Sequence, residues 1–300
     1  MSEEKKKVEI SKDDKKVVKG SRMLKGRKGV DYLQKCKDEG TKLVQVCPAV
    51  RDQFWYTAAE MAGCDIARMT VPGDQASADI NWSISLAPWW IRVVRGAAKI
   101  IHLNFYMQTP TYSSKEKALE NGALYMCCGA DSVLPMGVSN ETLRYMTDNY
   151  VAVFGHVGEL SGWQTAGQGG YKRLGKTCDD AMQVYRMAYE YQENGMKAMT
   201  IELTPIEVTN AIAKKMKVPV ISIAAGGAAD GCEMVDFDTF AMMPSPVSHA
   251  KSYGEFFPWA VEAYADWADD VREGGYPEDK HGFHMEEAEL DKFLNALENA

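Results

Sequence analysis

Residues 197–225 read KAMTIELTPIEVTNAIAKKMKVPVISIAA. The first piece, "KAMTIEL" (197–203), is a short, nearly continuous apolar run. The middle, "TPIEVTNAIAKKMK" (204–217), switches to helical periodicity, and "VPVISIAA" (218–225) is a second apolar run. Runs that are apolar on both faces suit parallel strands covered on both sides, and parallel neighbours need a crossover segment of this length. The stretch therefore predicts a strand–helix–strand unit.

The same alternation extends in both directions. Five earlier runs match the pattern: "KLVQVCPA" (42–49), "CDIARMTV" (64–71), "KIIHLNF" (99–105), "ADSVLPM" (130–136) and "VAVFGHV" (151–157). Helical segments lie between them. In "DDAMQVYRMAYEYQENG" (179–195), Asp179 is expected to cap the first turn and Gly195 to stop the helix, with Val184, Met187, Ala188 and Tyr191 forming one buried stripe. An eighth short strand fits near "MVDFDTFAMM" (234–243). Eight units predict an α/β fold, a single (β/α)8 TIM barrel, over a doubly wound open sheet. The barrel domain is expected over 28–300 with a C-terminal helical tail, preceded by a basic, partly disordered arm over 1–27.

The 300 residues carry a formal net charge of -8, with 46% hydrophobic and 25% charged residues. That balance argues against nucleic acid as a partner. No apolar run approaches the roughly 20 residues that span a bilayer, so no membrane partner is expected. The N-terminus lacks the apolar centre of a secretory signal, and a cytoplasmic location follows as an expectation. Seven cysteines without a CxxC pair give no zinc-ribbon or redox motif.

Barrel active sites lie at the C-terminal ends of the strands. Polar residues closing the apolar runs are therefore the candidates: His102 and Asn104 after strand three, His156 and Glu159 after strand five, and Glu202 in strand six. Asp230 follows strand seven. A carboxylate inside an apolar run is costly unless paired or protonated, so Glu202 is either a general acid/base with a raised pKa or half of a buried ion pair. The glycine-rich "AAGGAADG" (224–231) offers backbone amides to an anion, Gly226 and Gly227 among them.

With these residues assembled, the chain resembles the ketopantoate hydroxymethyltransferase family, within the phosphoenolpyruvate mutase/isocitrate lyase superfamily. The likeness runs from about residue 28 to 285. It rests on "GHVG" and "GGYKRLGK" against GHxGL…GGYKxQGR, "TIELTP" against VLExVP, "VPVISIAAGGAADG" against IPxIGIGAGxxxDGQ, and "VREGGYPEDKHGFH" against VxxGxYPxxEHSFH. The resemblance implies a homo-oligomeric barrel acting on a small 2-oxo acid. Methylenetetrahydrofolate would be its one-carbon donor and magnesium its metal. Glu202 matches the family's proton-transferring glutamate, and His156 its strand-five histidine. Tyr171 and Lys172 lie in the matching loop and are expected, with Asn104, His102, Glu159, Gly226 and Gly227, to line the substrate site.

The metal half of the pattern is altered. Where the family has VGDS, this chain reads "RMTVPGDQ", which places Val71 at the aspartate and leaves Asp74 as the nearest substitute. Asn104 or Phe105 stands at a second aspartate, and Leu134 and Met136 replace a lysine and a glutamate. The usual magnesium site is therefore expected to be absent. A different divalent metal would have to use His102, His156, Glu159 and Glu202. Two functions remain: an aldol-type enzyme with Glu202 as general acid/base, and a non-catalytic ligand-binding or structural barrel.

Overall fold

In a computed structural model, residues 26–48, 52–70, 80–160, 165, 167, 169–170, 172–243 and 250–300 are described. Helix α1 (Val30–Asp38) precedes strand β1 (Leu43–Cys47). There follow α2 (Gln53–Ala62), β2 (Ile66–Met69), α3 (Ile80–Ala97), β3 (His102–Met107), α4 (Lys115–Cys128), β4 (Ser132–Pro135), α5 (Asn140–Asp148) and β5 (Phe154–Gly158). The second half holds α6 (Cys178–Glu193), β6 (Ala198–Glu202), α7 (Ile206–Lys215), β7 (Val220–Ile223), β8 (Gly231–Val235), α8 (Asp236–Thr239), α9 (Phe256–Glu273) and α10 (Glu287–Glu298).

All eight strands are parallel, in the order β4-β3-β2-β1-β8-β7-β6-β5. A parallel bridge from Val133 to Val153 joins the two ends. The result is the (β/α)8 barrel that the alternation predicts. Residues 1–25, nearly all of the expected arm, lie outside the described residues.

Strand alternation sorts the apolar side chains into two cores. Phe105, Val133, Val157 and Ile201 face outward and pack with Ile91, Tyr125 and Ala188 of the surrounding helices. Leu43, Ile66, Phe154, Ala198 and Ile221 face inward, and Leu33 and Cys36 of α1 join them, closing the N-terminal end. A fully buried leucine such as Leu33 contributes about 1.5–3 kcal/mol to that closure.

Three local expectations are corrected. The eighth strand is Gly231–Val235, so only Met234 and Val235 of the expected stretch belong to it; from Asp236 the chain turns into α8. Thr177, not Asp179, caps α6, its hydroxyl accepting from the Asp180 amide. His102 opens β3 instead of closing it. It sits at the N-terminal end, 0% exposed, with Nδ1 3.0 Å from the Lys28 carbonyl and Nε2 2.8 Å from Ser132 Oγ. Asp230 is at that end too, paired with Lys37 at 2.6 Å and accepting the Val220 amide at 2.8 Å.

Burial pushes the His102 pKa down from 6.5 to about 4. The unfolded chain thus binds this proton more readily than the folded one, and stability falls as pH drops from 6.5 towards 4. By linkage this residue removes about 2 kcal/mol between pH 7.5 and pH 5. Urea unfolding at both pH values, in the native protein and in His102→Gln, should show that pH dependence and its loss.

The barrel's outer layer is uneven. Only residues 224–230 connect β7 to β8, and β8 runs directly into the four-residue α8. Among the described residues no long helix covers the outer face of β1 and β8: Val44 is 49% exposed and Cys232 is also exposed.

Candidate active site

Glu202 is the last residue of β6, and His156 lies one strand away in β5, in register with Thr200. His156 Nε2 is 3.0 Å from Glu202 Oε2 and 2.9 Å from the Glu159 carbonyl oxygen. Both neighbours are acceptors, so Nε2 carries the proton and Nδ1 is left buried without a partner among the described residues. The histidine side chain is 0% exposed and that of Glu202 16%, which leaves the carboxylate reachable from the mouth.

The local backbone brings this pair together. A Cβ on Gly158 would lie 2.2 Å from the Glu202 carbonyl oxygen, so only glycine lets the two strand ends meet. Its φ of 85° also favours glycine. The next amide, Glu159, then donates to that same carbonyl at 3.1 Å. Leu203 and Ala224, at φ 48° and 50°, follow the ends of β6 and β7 in the left-handed region that side chains rarely adopt. Such strain collects where a site over-determines the backbone.

A second polar cluster fills the barrel below the mouth. Arg68 of β2 donates from Nη2 to Glu233 Oε2 of β8 at 2.6 Å and to Thr200 Oγ1 at 2.8 Å. Gln45 Nε2 of β1 reaches the same carboxylate oxygen at 2.6 Å. Burial pushes the Glu233 carboxyl pKa up, with the Arg68 guanidinium pulling against it. For Arg68 burial works downward as the largest single effect, and the charges of Glu233, Glu202 and other neighbours together outweigh it, so the pKa lies above its ordinary value. His156 and Glu202 both act electrostatically on Glu233, and Glu202 acts on Arg68, so the two clusters form one field. Arg68 Nε and Asn104 Nδ2, on register-paired residues of β2 and β3, are buried donors without partners among the described residues. Sequence reasoning passed over Arg68, Glu233 and Gln45. The signal was the one that exposed Glu202: a polar residue inside an apolar run.

The remaining candidates are dispersed. Leu134 and Met136 are buried in the inner core with Tyr106 and Phe154. Glu159 is fully buried, and its Oε2 accepts the Lys172 amide at 2.8 Å. The Lys172 side chain lines a separate cavity of about 260 Å³ with Gly158, Leu174 and Asp180. Asn104 is within β3, not after it. Ser222 Oγ donates to the Gly226 carbonyl at 2.5 Å, and a Cβ on Gly226 would strike Ile206 at 2.8 Å. Gly226 thus packs on α7, and the loop meets the mouth cavity through Ile223 and Ala224 instead. Tyr171 and Asp74 lie outside the described residues.

That mouth cavity, about 640 Å³, is lined by Gln45, Glu202, Leu203, Ile223, Ala224, Glu233 and Val235, and it continues over the edge to Val44, Cys232 and Met234. Its size suits a small metabolite. Among the described residues no three His, Cys, Asp or Glu side chains converge as metal ligands. His102 is at the far end of β3, and the Glu159 carboxylate is turned to the Lys172 amide. Magnesium takes oxygen ligands, usually carboxylates. Among the described residues, the inward-facing carboxylates of Glu202 and Glu233 are bonded to His156 and Arg68, with Asn104 on β3 and Leu134 on β4, and this set does not fit that ion; Asp74 lies outside them.

Comparison with known proteins gives a consistent answer. The family model described as ketopantoate hydroxymethyltransferase matches residues 27–279. A 3-methyl-2-oxobutanoate hydroxymethyltransferase of Methylibium petroleiphilum is 26% identical over 284 residues, covering 91% of this chain and 94% of that protein. One from Chloroflexus aurantiacus is 28% identical over 280 residues, covering 89% and 97%. Among solved structures, 2,3-dimethylmalate lyase, a member of the phosphoenolpyruvate mutase/isocitrate lyase superfamily, aligns with TM-score 0.54 at 12% identity over 90% of this chain and 99% of its own. Phosphonopyruvate hydrolase aligns with TM-score 0.53 at 16% identity over 91% and 98%.

Proposed function

The chain belongs to the ketopantoate hydroxymethyltransferase family, and from that premise we propose that it is an enzyme making or breaking a carbon–carbon bond next to the carbonyl of a small 2-oxo acid. The observation that carries this reading is the contact of His156 Nε2 with Glu202 Oε2 at 3.0 Å, beside the mouth cavity. Glu202 is the general base: its carboxylate removes a proton from the carbon next to the carbonyl, and the electron pair moves onto the carbonyl oxygen. His156 donates to the carboxylate and fixes its orientation. The buried donors Arg68 Nε and Asn104 Nδ2 are the groups suited to the developing oxyanion. Water releases the one-carbon unit of methylenetetrahydrofolate, the proposed source, as formaldehyde with tetrahydrofolate departing; the enolate carbon attacks it, and the alkoxide formed takes up the proton held by Glu202. Cleavage is the same sequence reversed, with the proton returning from Glu202. No step is assigned to a metal, because the described donor set does not fit one.

The test is exchange of α-protons in deuterium oxide, followed by NMR over a panel of small 2-oxo acids, with metal content assayed alongside. Enzyme-dependent deuterium uptake by one or more of them is expected. Silence across the panel, with and without added divalent ions, would overturn the reading in favour of a ligand-binding or structural barrel.

A further inference from the structure

Three donors crowd onto one oxygen of Glu233. Its Oε2 accepts from Gln45 Nε2 at 2.6 Å, from Arg68 Nη2 at 2.6 Å and from Thr200 Oγ1 at 3.3 Å. The other oxygen, Oε1, is buried with no partner among the described residues, and Gln45 Oε1 is in the same condition. The orientation of the Gln45 amide is fixed chemically, because only its NH2 group can face a carboxylate. Gln45 and Glu233 are register partners on the adjacent strands β1 and β8, 1% and 3% exposed, and both line the mouth cavity with Glu202. One hydrogen-bonded pair thus carries two bare acceptors at the cavity. Buried acceptors without donors are costly, so the pair calls for a ligand that brings a hydrogen.

The bare donors lie on the next strands. Arg68 Nε and Asn104 Nδ2, on paired residues of β2 and β3, are the groups suited to the carbonyl oxygen. Arg68 joins the two sets, since its Nη2 holds Glu233 while its Nε has no partner among the described residues. One small molecule can meet both if it carries a carbonyl or oxyanion at one end and a donor at the other. Charge identifies the donor. The Arg68 guanidinium already answers the Glu233 carboxylate at 2.6 Å, so a neutral hydroxyl fits where an ammonium would add a second cation to a neutralised pair. An alkyl group or an aldehyde oxygen has no hydrogen to give. The chemistry proposed above then places the hydroxyl: adding a one-carbon unit beside the carbonyl creates it two carbons from the oxo carbon.

We propose that Gln45 and Glu233 are specificity-determining residues that bind this hydroxyl, so that the protein holds a 4-hydroxy-2-oxo acid in preference to the same acid without the hydroxyl. The inference rests on the reading of Arg68 Nε and Asn104 Nδ2 as the donors to the carbonyl. It makes the hydroxylated acid a substrate for cleavage as well as a product.

The test compares 4-hydroxy-2-oxobutanoate with 2-oxopentanoate, which carries a methyl in place of the hydroxyl at nearly the same shape. Titration calorimetry on Glu202→Gln, without tetrahydrofolate, reads binding with turnover suppressed. The hydroxy acid should bind at least tenfold tighter, because the methyl analogue leaves the buried acceptors unpaired. Gln45→Met keeps the volume and removes one acceptor, and it should reduce that ratio at least threefold; a role confined to folding would weaken both ligands alike. If Gln45→Met does not fold, the ratio on Glu202→Gln alone decides. Equal affinities, a tighter alkyl acid, no binding of either, or a ratio unmoved by Gln45→Met would overturn the proposal. The outcomes separate it from the enzymatic reading. Deuterium exchange by the native protein alongside equal affinities would remove the hydroxyl subsite alone. Tighter binding of the hydroxy acid without exchange would keep the subsite and remove the chemistry.

Discussion

Replacing Arg68 by methionine should cost about 3–5 kcal/mol of stability, the penalty for leaving a buried carboxylate without its cation. Arg68 is 6% exposed and Glu233 3%, and the guanidinium supplies the 2.6 Å bond to Glu233 Oε2. Without it, Gln45 and Thr200 remain as neutral donors, the latter at 3.3 Å. The burial that already pushes the Glu233 pKa up would then be opposed only by the weaker effects of His156 and Thr200, and the side chain would take up a proton to stay inside. The double variant Arg68→Met/Glu233→Leu should recover most of the loss, because an apolar pair of similar volume removes the charge altogether. Urea unfolding of the native, single and double variants measures both effects. If the double variant folds but α-proton exchange stays about 100-fold or more below the native rate, Arg68 Nε–H is also an oxyanion donor, as one such group is worth.

How far the molecule could be read without coordinates varies by element. The strands were legible because burial on both faces leaves few polar residues in them, as in "KAMTIEL" and "VAVFGHV". The eighth strand was displaced because Phe237, Phe240 and Met242 prolong the apolar signal past Val235, where the chain has already turned into α8. Glu202 stood out as an acid in an apolar run. Glu233, Arg68 and Gln45 carried the same mark, but their pairing crosses the barrel between β2, β8 and β1, a proximity that spacing along the chain does not encode. His102 illustrates the opposite failure. Its distance from the mouth depends on where β3 begins, and a run of apolar residues does not show which end of itself is the strand's start.

Glu202→Gln should lower the rate of α-proton exchange by about 10²–10⁴-fold, the usual contribution of a positioned general base. The substitution keeps the side-chain shape and removes the basic site. His156 Nε2 can still donate to an amide oxygen at the position now held by Oε2, 3.0 Å away. Folding should be unaffected, since the Glu202 main chain makes the contacts that hold the strand ends together: its carbonyl accepts from the Glu159 amide at 3.1 Å and from Thr204 Oγ1 at 3.1 Å. The arrangement thus separates chemistry from structure, which Arg68 does not. The decisive experiment is deuterium uptake into a responsive 2-oxo acid, measured by NMR for the native protein and Glu202→Gln at equal concentration and matched circular dichroism. A fall of at least 100-fold in the variant is predicted. An unchanged rate would show that the proton is moved by some other group.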